Sequence, residues 1–180
     1  MSNDERRLID TAALELMNGG DDRAWFEAAV RRWGLAPGRP LAEDEIEALR
    51  GLRSLLRRLA ETVSSGSVLS VAELAELNAA IGSAPVVARL EIVGGEYALD
   101  MTPQADTWLR LALRDLAGSF TAMLLRSNPP RLRLCANEDC RAAFYDETKS
   151  RTRRWCSGTT CGNRVRARRH RASRASSSPR

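Results

Sequence analysis

Four cysteines constrain this 180-residue chain more than any other feature. Cys135, Cys140, Cys156 and Cys161 give C-x4-C, fifteen residues, and C-x4-C again. Two close thiol pairs separated by a loop of that length are the pattern of a tetrahedral four-thiolate zinc site, although two intervening residues are more usual inside each pair. Disulfides are the alternative. The N-terminal "MSNDERRLID" is charged throughout and unlike a signal peptide, which favours a reducing compartment and free thiols. Apolar residues of the segment, mainly Leu132, Leu134, Phe144, Tyr145 and Trp155, are too few to hold about 45 residues together without a staple. Zinc ligated by four thiolates has no position left for a catalytic water, and no C-x-x-C pair offers redox chemistry. His170, the only histidine, stands within an arginine run and reads as one more polar side chain.

That run sets the charge of the chain. Residues 131–180 hold 14 Lys and Arg against four Asp and Glu, whereas residues 1–130 hold 14 against 19. Such a split suggests a basic module for a polyanion joined to a body with another task. From Val165 onward the residues are good helix formers, and on a helix Arg164, Arg168 and Arg171 share one face while Arg166 and Arg169 flank it. Arg151, Arg153 and Arg154 add charge on the loop before Trp155. Guanidinium groups match phosphate oxygens in a two-pronged geometry, and a polyanion relieves their mutual repulsion. DNA is therefore the expected partner of these eight arginines. RNA, or an acidic protein docking on the same surface, stays open, and "SRASSSPR" at 173–180 reads as a disordered tail.

Before residue 130 the periodicity is mostly helical. Ile9, Ala12, Ala13, Leu16 and Met17 recur at helical spacing up to "NGG" at 18–20. Asp21 and Asp22 open a short helix with a Trp25, Phe26, Ala29, Val30 and Trp33 stripe, closed by Gly34. From Ala42 to about Val63, Ile46, Leu49, Leu52, Leu56, Leu59 and Val63 line one side, opposite Glu47, Arg50, Arg53, Arg57 and Glu61. The "EDEIE" acids read as a solvated first turn that complements the helix dipole. Ser70 and Glu73 form a capping box, after which Val71, Leu74, Leu77 and Ile81 are expected to face inward. Around Gly94-Gly95 the period changes to two. A hairpin there pairs Ile92 with Tyr97, Leu90 with Leu99 and Ala88 with Met101 on one apolar face, and Arg89 with Asp100 on the other. Thr102-Pro103 reads as the start of a long helix ending near Arg126, with "SNPP" as its stop.

No catalytic set emerges. The body has no cysteine or histidine, no phosphate-cradling glycine loop and no outstanding carboxylate pair, so an enzyme is not expected. Trp25, Trp33 and Trp108 sit at helical spacing and read as core rather than as pocket walls. No run of about 18 apolar residues is present to cross a bilayer, and the expected location is the cytoplasm, at the nucleoid.

The segment "CANEDCRAAFYDETKSRTRRWCSGTTCGNRVRARRHRA" resembles the CGNR zinc finger, its four letters being Cys161, Gly162, Asn163 and Arg164. The preceding stretch, from "LIDTAALELMNGG" through the hairpin to "LLRSNPP", resembles the ABATE domain of stress-induced transcription regulators of bacteria. The resemblance implies a zinc-dependent DNA-binding regulator. It carries over Cys135, Cys140, Cys156 and Cys161 as zinc ligands, Arg164 and the arginines after it as DNA contacts, and a small-molecule effector on the N-terminal domain. A regulator reading paired sites would be a homodimer. The expected fold is α+β: a mostly helical domain with one β-hairpin over 1–130, a small four-cysteine zinc finger, treble-clef-like or zinc-ribbon-like and ending in a basic helix, over 131–174, and a tail from 175 to 180.

Overall fold

The computed structural model describes the backbone from Asn3 to Ser176 and the side chains from Thr11 to Ser173. The body is built from α1 (Asn3–Asn18), α2 (Arg23–Arg32), α3 (Glu43–Ser64), α4 (Val71–Ile81), the hairpin β1 (Val86–Val93) and β2 (Glu96–Pro103), and α5 (Trp108–Leu125). Then follow β3 (Leu132–Leu134), β4 (Ala143–Tyr145), one π-helical turn at Gly158–Gly162, and α6 (Asn163–Ser176). Helices α1, α3 and α5 pack on one another, and α4 lies across α3 and α5.

The α3 stripe is the centre of the core: Ile46, Leu49, Leu52, Leu56, Leu59 and Val63 are all buried. They meet Ala13, Leu16 and Met17 of α1 and Leu116, Phe120 and Met123 of α5 in one cluster. The side chain of Ile9 lies outside the described residues. Trp33 is buried, donates to Glu15 Oε2 at 2.6 Å, and meets Trp25 edge to face with centroids 6.1 Å apart. The tryptophans thus act as core. Trp25 also explains the glycines of the α1–α2 turn, since a Cβ on Gly19 would fall 1.8 Å from its ring.

Three expectations for which way helix side chains face are corrected. Glu45 is not solvated: it is 6% exposed, accepts from the Ala42 backbone N–H at 2.8 Å and is gripped by both Arg39 nitrogens at 2.7 and 2.9 Å. The Arg39 hydrogen bonds hold its carboxyl below the usual range despite partial desolvation. Arg53 and Arg57 leave solvent to donate to the last carbonyls of α1, Leu16 O at 2.9 Å and Met17 O at 2.7 Å. Helix ends leave such carbonyls without partners, and these guanidiniums supply them. In α4 only Leu77 is fully buried, whereas Val71 and Leu74 are exposed, because the helix covers the core with its C-terminal half.

The hairpin has the expected register, including Ala88 with Met101, Arg89 with Asp100, Leu90 with Leu99 and Ile92 with Tyr97. Its apolar face, however, faces solvent. Thr102 and Pro103 do not begin α5, since β2 continues through them, paired with Val87 and Val86. The helix starts at Trp108, where the Thr107 hydroxyl accepts from Arg110 N–H.

Candidate metal centre and basic helix

Strands β3 and β4 form an antiparallel hairpin whose connection carries Cys135 and Cys140. Its outer flank belongs to the body core: Leu132 is fully buried and Ala143 nearly so, with Leu134 and Tyr145 packed beside them. Asn18, at the end of α1, fixes the edge of β4 as a neighbouring strand would. Its Nδ2 donates to Ala143 O and its Oδ1 accepts from Ala143 N–H, both at 2.8 Å. Ser64 Oγ accepts from Leu134 N–H at 3.0 Å, and Arg57 donates to Arg141 O at 3.3 Å. The turn between the strands thus leaves the body at a fixed angle.

The other two thiols come from later in the chain. Cys156 follows the loop at 146–155, and Cys161 sits in the π-helical turn that leads straight into α6. Asp146 organises that loop. Its Oδ1 accepts from the Thr148 N–H and hydroxyl at 3.0 and 2.6 Å, and its Oδ2 from Arg153 N–H at 3.0 Å. Burial opposes its charge, yet these bonds hold its carboxyl below the usual range. The sequence reading missed Asp146 and Asn18. Asp-Glu-Thr at 146–148 is the pattern of an Asx turn and could have revealed the first.

All four sulphurs lie within 4.8 Å of one another, with Cys140 to Cys156 and Cys156 to Cys161 both at 3.6 Å. A zinc–sulphur bond of about 2.3 Å puts tetrahedral ligands about 3.8 Å apart, whereas a disulfide needs about 2 Å. The donor set therefore fits a tetrahedral thiophilic dication, and no disulfide links these thiols. Burial pushes the Cys140 and Cys156 thiols up. At Cys161 burial acts the same way, but hydrogen bonds from Asn137 and the neighbouring thiols outweigh it and bring the thiol down. Several thiolates crowded this closely need a cation to offset their charge. Phe144 and Trp155 form the apolar lining beside the sulphurs, and a Cβ on Gly162 would approach Trp155 Cδ1 to 3.1 Å. His170 lies on the exposed face of α6, outside the sulphur cluster.

From this cluster α6 projects into solvent, with Val165 alone half-buried among its described side chains. The arginines divide by what they touch. Arg153 lies over Phe144, 5.0 Å from its centroid, and donates to the Trp155 and Cys156 carbonyls. Arg154 lies over Trp155 at 5.1 Å. Arg168 pairs with Asp139 in the first cysteine turn, and Arg166 donates to Asn163 Oδ1 at 2.5 Å. Arg151, Arg164, Arg169 and Arg171 are exposed, and their side chains have no ion pair or hydrogen bond among the described residues. The hairpin-then-helix order, with two cysteines in the hairpin turn and two before the helix, is the treble-clef-like one of the two expected forms.

Residues 131–174 match the CGNR zinc finger family. Residues 10–127 match the ABATE family, described as "Putative stress-induced transcription regulator", over well more than half of the chain. The chain belongs to the ABATE family. No curated protein matches it. In this ABATE protein the two matched segments meet at the "SNPP" stretch, so the loop after α5 joins body and finger. No helix among the described residues is long and apolar enough to cross a membrane. Helix α6 runs to Ser176, and the rest of the expected tail, 177–180, lies outside the described residues.

Proposed function

We propose that this ABATE protein is a zinc-dependent DNA-binding transcription regulator of the cytoplasm, with a body to about residue 130 and a finger over 131–174. Cys135, Cys140, Cys156 and Cys161 hold the zinc, whose role is to lock the start of α6 against the hairpin turn. With four thiolates the site has no open position, so the reading is structural and non-enzymatic. One observation carries the proposal: a solvent-projecting helix rich in arginine, with no acid of its own, starts directly at the sulphur cluster.

Arg151, Arg154, Arg164, Arg166, Arg169 and Arg171 are the phosphate and base contacts. Arg153 is withdrawn from the set as a brace, because its guanidinium is engaged with the Trp155 and Cys156 carbonyls. Arg168 orients α6 through Asp139. Five or six phosphate contacts give a slope of about −5 in log affinity against log salt, measured by anisotropy of a labelled duplex. A slope near zero contradicts the reading. Phe144, Tyr145 and Trp155, the aromatics of the finger, stand beneath Arg153, Arg126 and Arg154, which leaves none of these three free to stack on unpaired bases and disfavours RNA. Competition between duplex DNA and structured RNA of equal length tests that choice.

An effector of the N-terminal domain has an apt place. A groove of about 580 Å³ lies between the ends of α3 and α5 and the start of α4, lined by Val63, Leu69, Leu74, Leu124, Pro129 and Arg133. It is of ligand size and touches the segment that leads into the finger. A ligand seated there raises the melting temperature of the wild type and not that of Leu74→Arg.

A further inference from the structure

The β1–β2 hairpin is an amphipathic arm whose apolar side is left uncovered by the described residues. Leu90, Ile92, Tyr97, Leu99 and Met101 are between 56% and 81% exposed. Among the described residues the sheet has two strands, and none of them pairs with the outer edge of β1. A lone two-stranded hairpin is marginal in water, and an open edge without proline or a bulge is a template for another strand.

The two edges differ in what they can accept. Strand β2 carries only acids, Glu96 and Asp100, so two copies of it side by side have no cation to offset their charge. Strand β1, "VVARLEIV", carries Arg89 and Glu91 on either side of Leu90. Neither has an ion pair or hydrogen bond to its side chain among the described residues, and both are exposed. When two antiparallel copies of β1 are related by a two-fold axis through Leu90, Arg89 faces Glu91 of the second copy, and Glu91 faces its Arg89. In the same register Leu90 meets Leu90, Ala88 meets Ile92 and Val87 meets Val93, so each face of the sheet meets its own kind. Moving the axis to Arg89 or Glu91 sets like charges opposite, and a one-residue slip sets apolar against charged residues.

We propose that a second copy of this chain is the occupant of the β1 edge, and that the protein dimerises by joining β1 to β1 into a four-stranded sheet, β2-β1-β1-β2. The interface is isologous, as a two-fold dimer requires. It closes one row of unpaired backbone groups, makes two Arg89–Glu91 pairs, and packs Leu90 on Leu90 across the seam. Its area is that of a small interface, so the affinity falls in the micromolar range. Dimerisation does not depend on the DNA-binding reading, because the finger takes no part in it.

Sedimentation of the full chain without DNA, across a concentration series, tests this. Three proteins all carry Asp100→Asn, so that a carboxylate introduced at position 89 does not face Asp100 within its own hairpin. The first, otherwise wild type, shows a monomer–dimer equilibrium. Adding Arg89→Glu or Glu91→Arg to the other two weakens self-association about tenfold or more in each, because like charges now meet across the seam. An equimolar mixture of the two recovers dimers, and native mass spectrometry identifies them as mixed. That recovery excludes misfolding as the cause of the loss. A parent protein that stays monomeric at about 100 μM, well above a micromolar dissociation constant, overturns the proposal. So do charge variants that dimerise as well as the parent, which would place the contact on the apolar face or elsewhere, and a mixture that stays monomeric.

Discussion

The two halves of the cysteine segment are held by different forces. The first, Leu132–Tyr145, is an extension of the body: Leu132 and Ala143 lie in the main core, and Asn18 and Ser64 satisfy its backbone. The second, from the loop after Tyr145 through α6, relies on Asp146, on the Phe144 and Trp155 lining and on the four sulphurs. The body therefore presents a pre-formed half-site, and on the proposed reading metal binding completes it by ordering the half that carries the arginines. That reading couples metal binding to folding over about half of the finger, rather than over all of it as in a free-standing finger.

The largest expected effect breaks the second half alone. Cys156→Ser, or zinc removal by a chelator, forfeits coupled folding energy on the order of 10 kcal/mol. DNA affinity then falls by more than about 100-fold. The thermal transition of the body, followed by tryptophan fluorescence, remains. Next comes Leu132→Ala, which leaves a cavity shared by body and first half and costs about 2–5 kcal/mol in denaturant unfolding. Both regions lose stability together in that variant, with zinc still bound. Asn18→Ala costs about 1–3 kcal/mol, since it leaves the Ala143 N–H and C=O without partners at a part-buried edge. Its signature is faster exchange at Ala143 with α2 to α5 unchanged.

The smallest effect separates the regions by pH. Hydrogen bonds from the Thr62 hydroxyl and from the Ser70 backbone and hydroxyl hold the Glu73 carboxyl down at about 2. A depressed carboxyl contributes stability above its unfolded value of 4.5, and that contribution is lost as pH falls from there towards 2. Glu73→Gln therefore flattens the acid limb of body unfolding between those values. With zinc bound as proposed, the finger gives way at higher pH because protons compete with the metal for the thiolates, and the variant leaves that step unmoved.

Legibility in the sequence followed the physics of each element. The α3 stripe, the Ser70–Glu73 box and the hairpin register rest on local periodicity and turn chemistry, and the structure has all three as read. The sulphur cluster was legible because ligand spacing is a property of sequence. Pro103 misled because a proline suits a strand end as well as a first helical turn, and the partner strand decided between them. Asn18, Arg53, Arg57 and Glu45 look like surface polar residues in sequence. Their partners, Ala143, the α1 carbonyls and Arg39, lie across turns or come from other elements. The exposed apolar arm was hidden for the converse reason, since alternation shows that a face is apolar and is silent on whether the body covers it.

Amide hydrogen exchange of the full chain, with zinc and after its removal, tests the central comparison most directly. The account predicts that removal abolishes protection across Trp155–Ser173 and leaves the amides of Leu134 and Ala143, held by Ser64 and Asn18, as protected as those of α3. Equal loss across both halves, or protection of α6 that survives without metal, would contradict it.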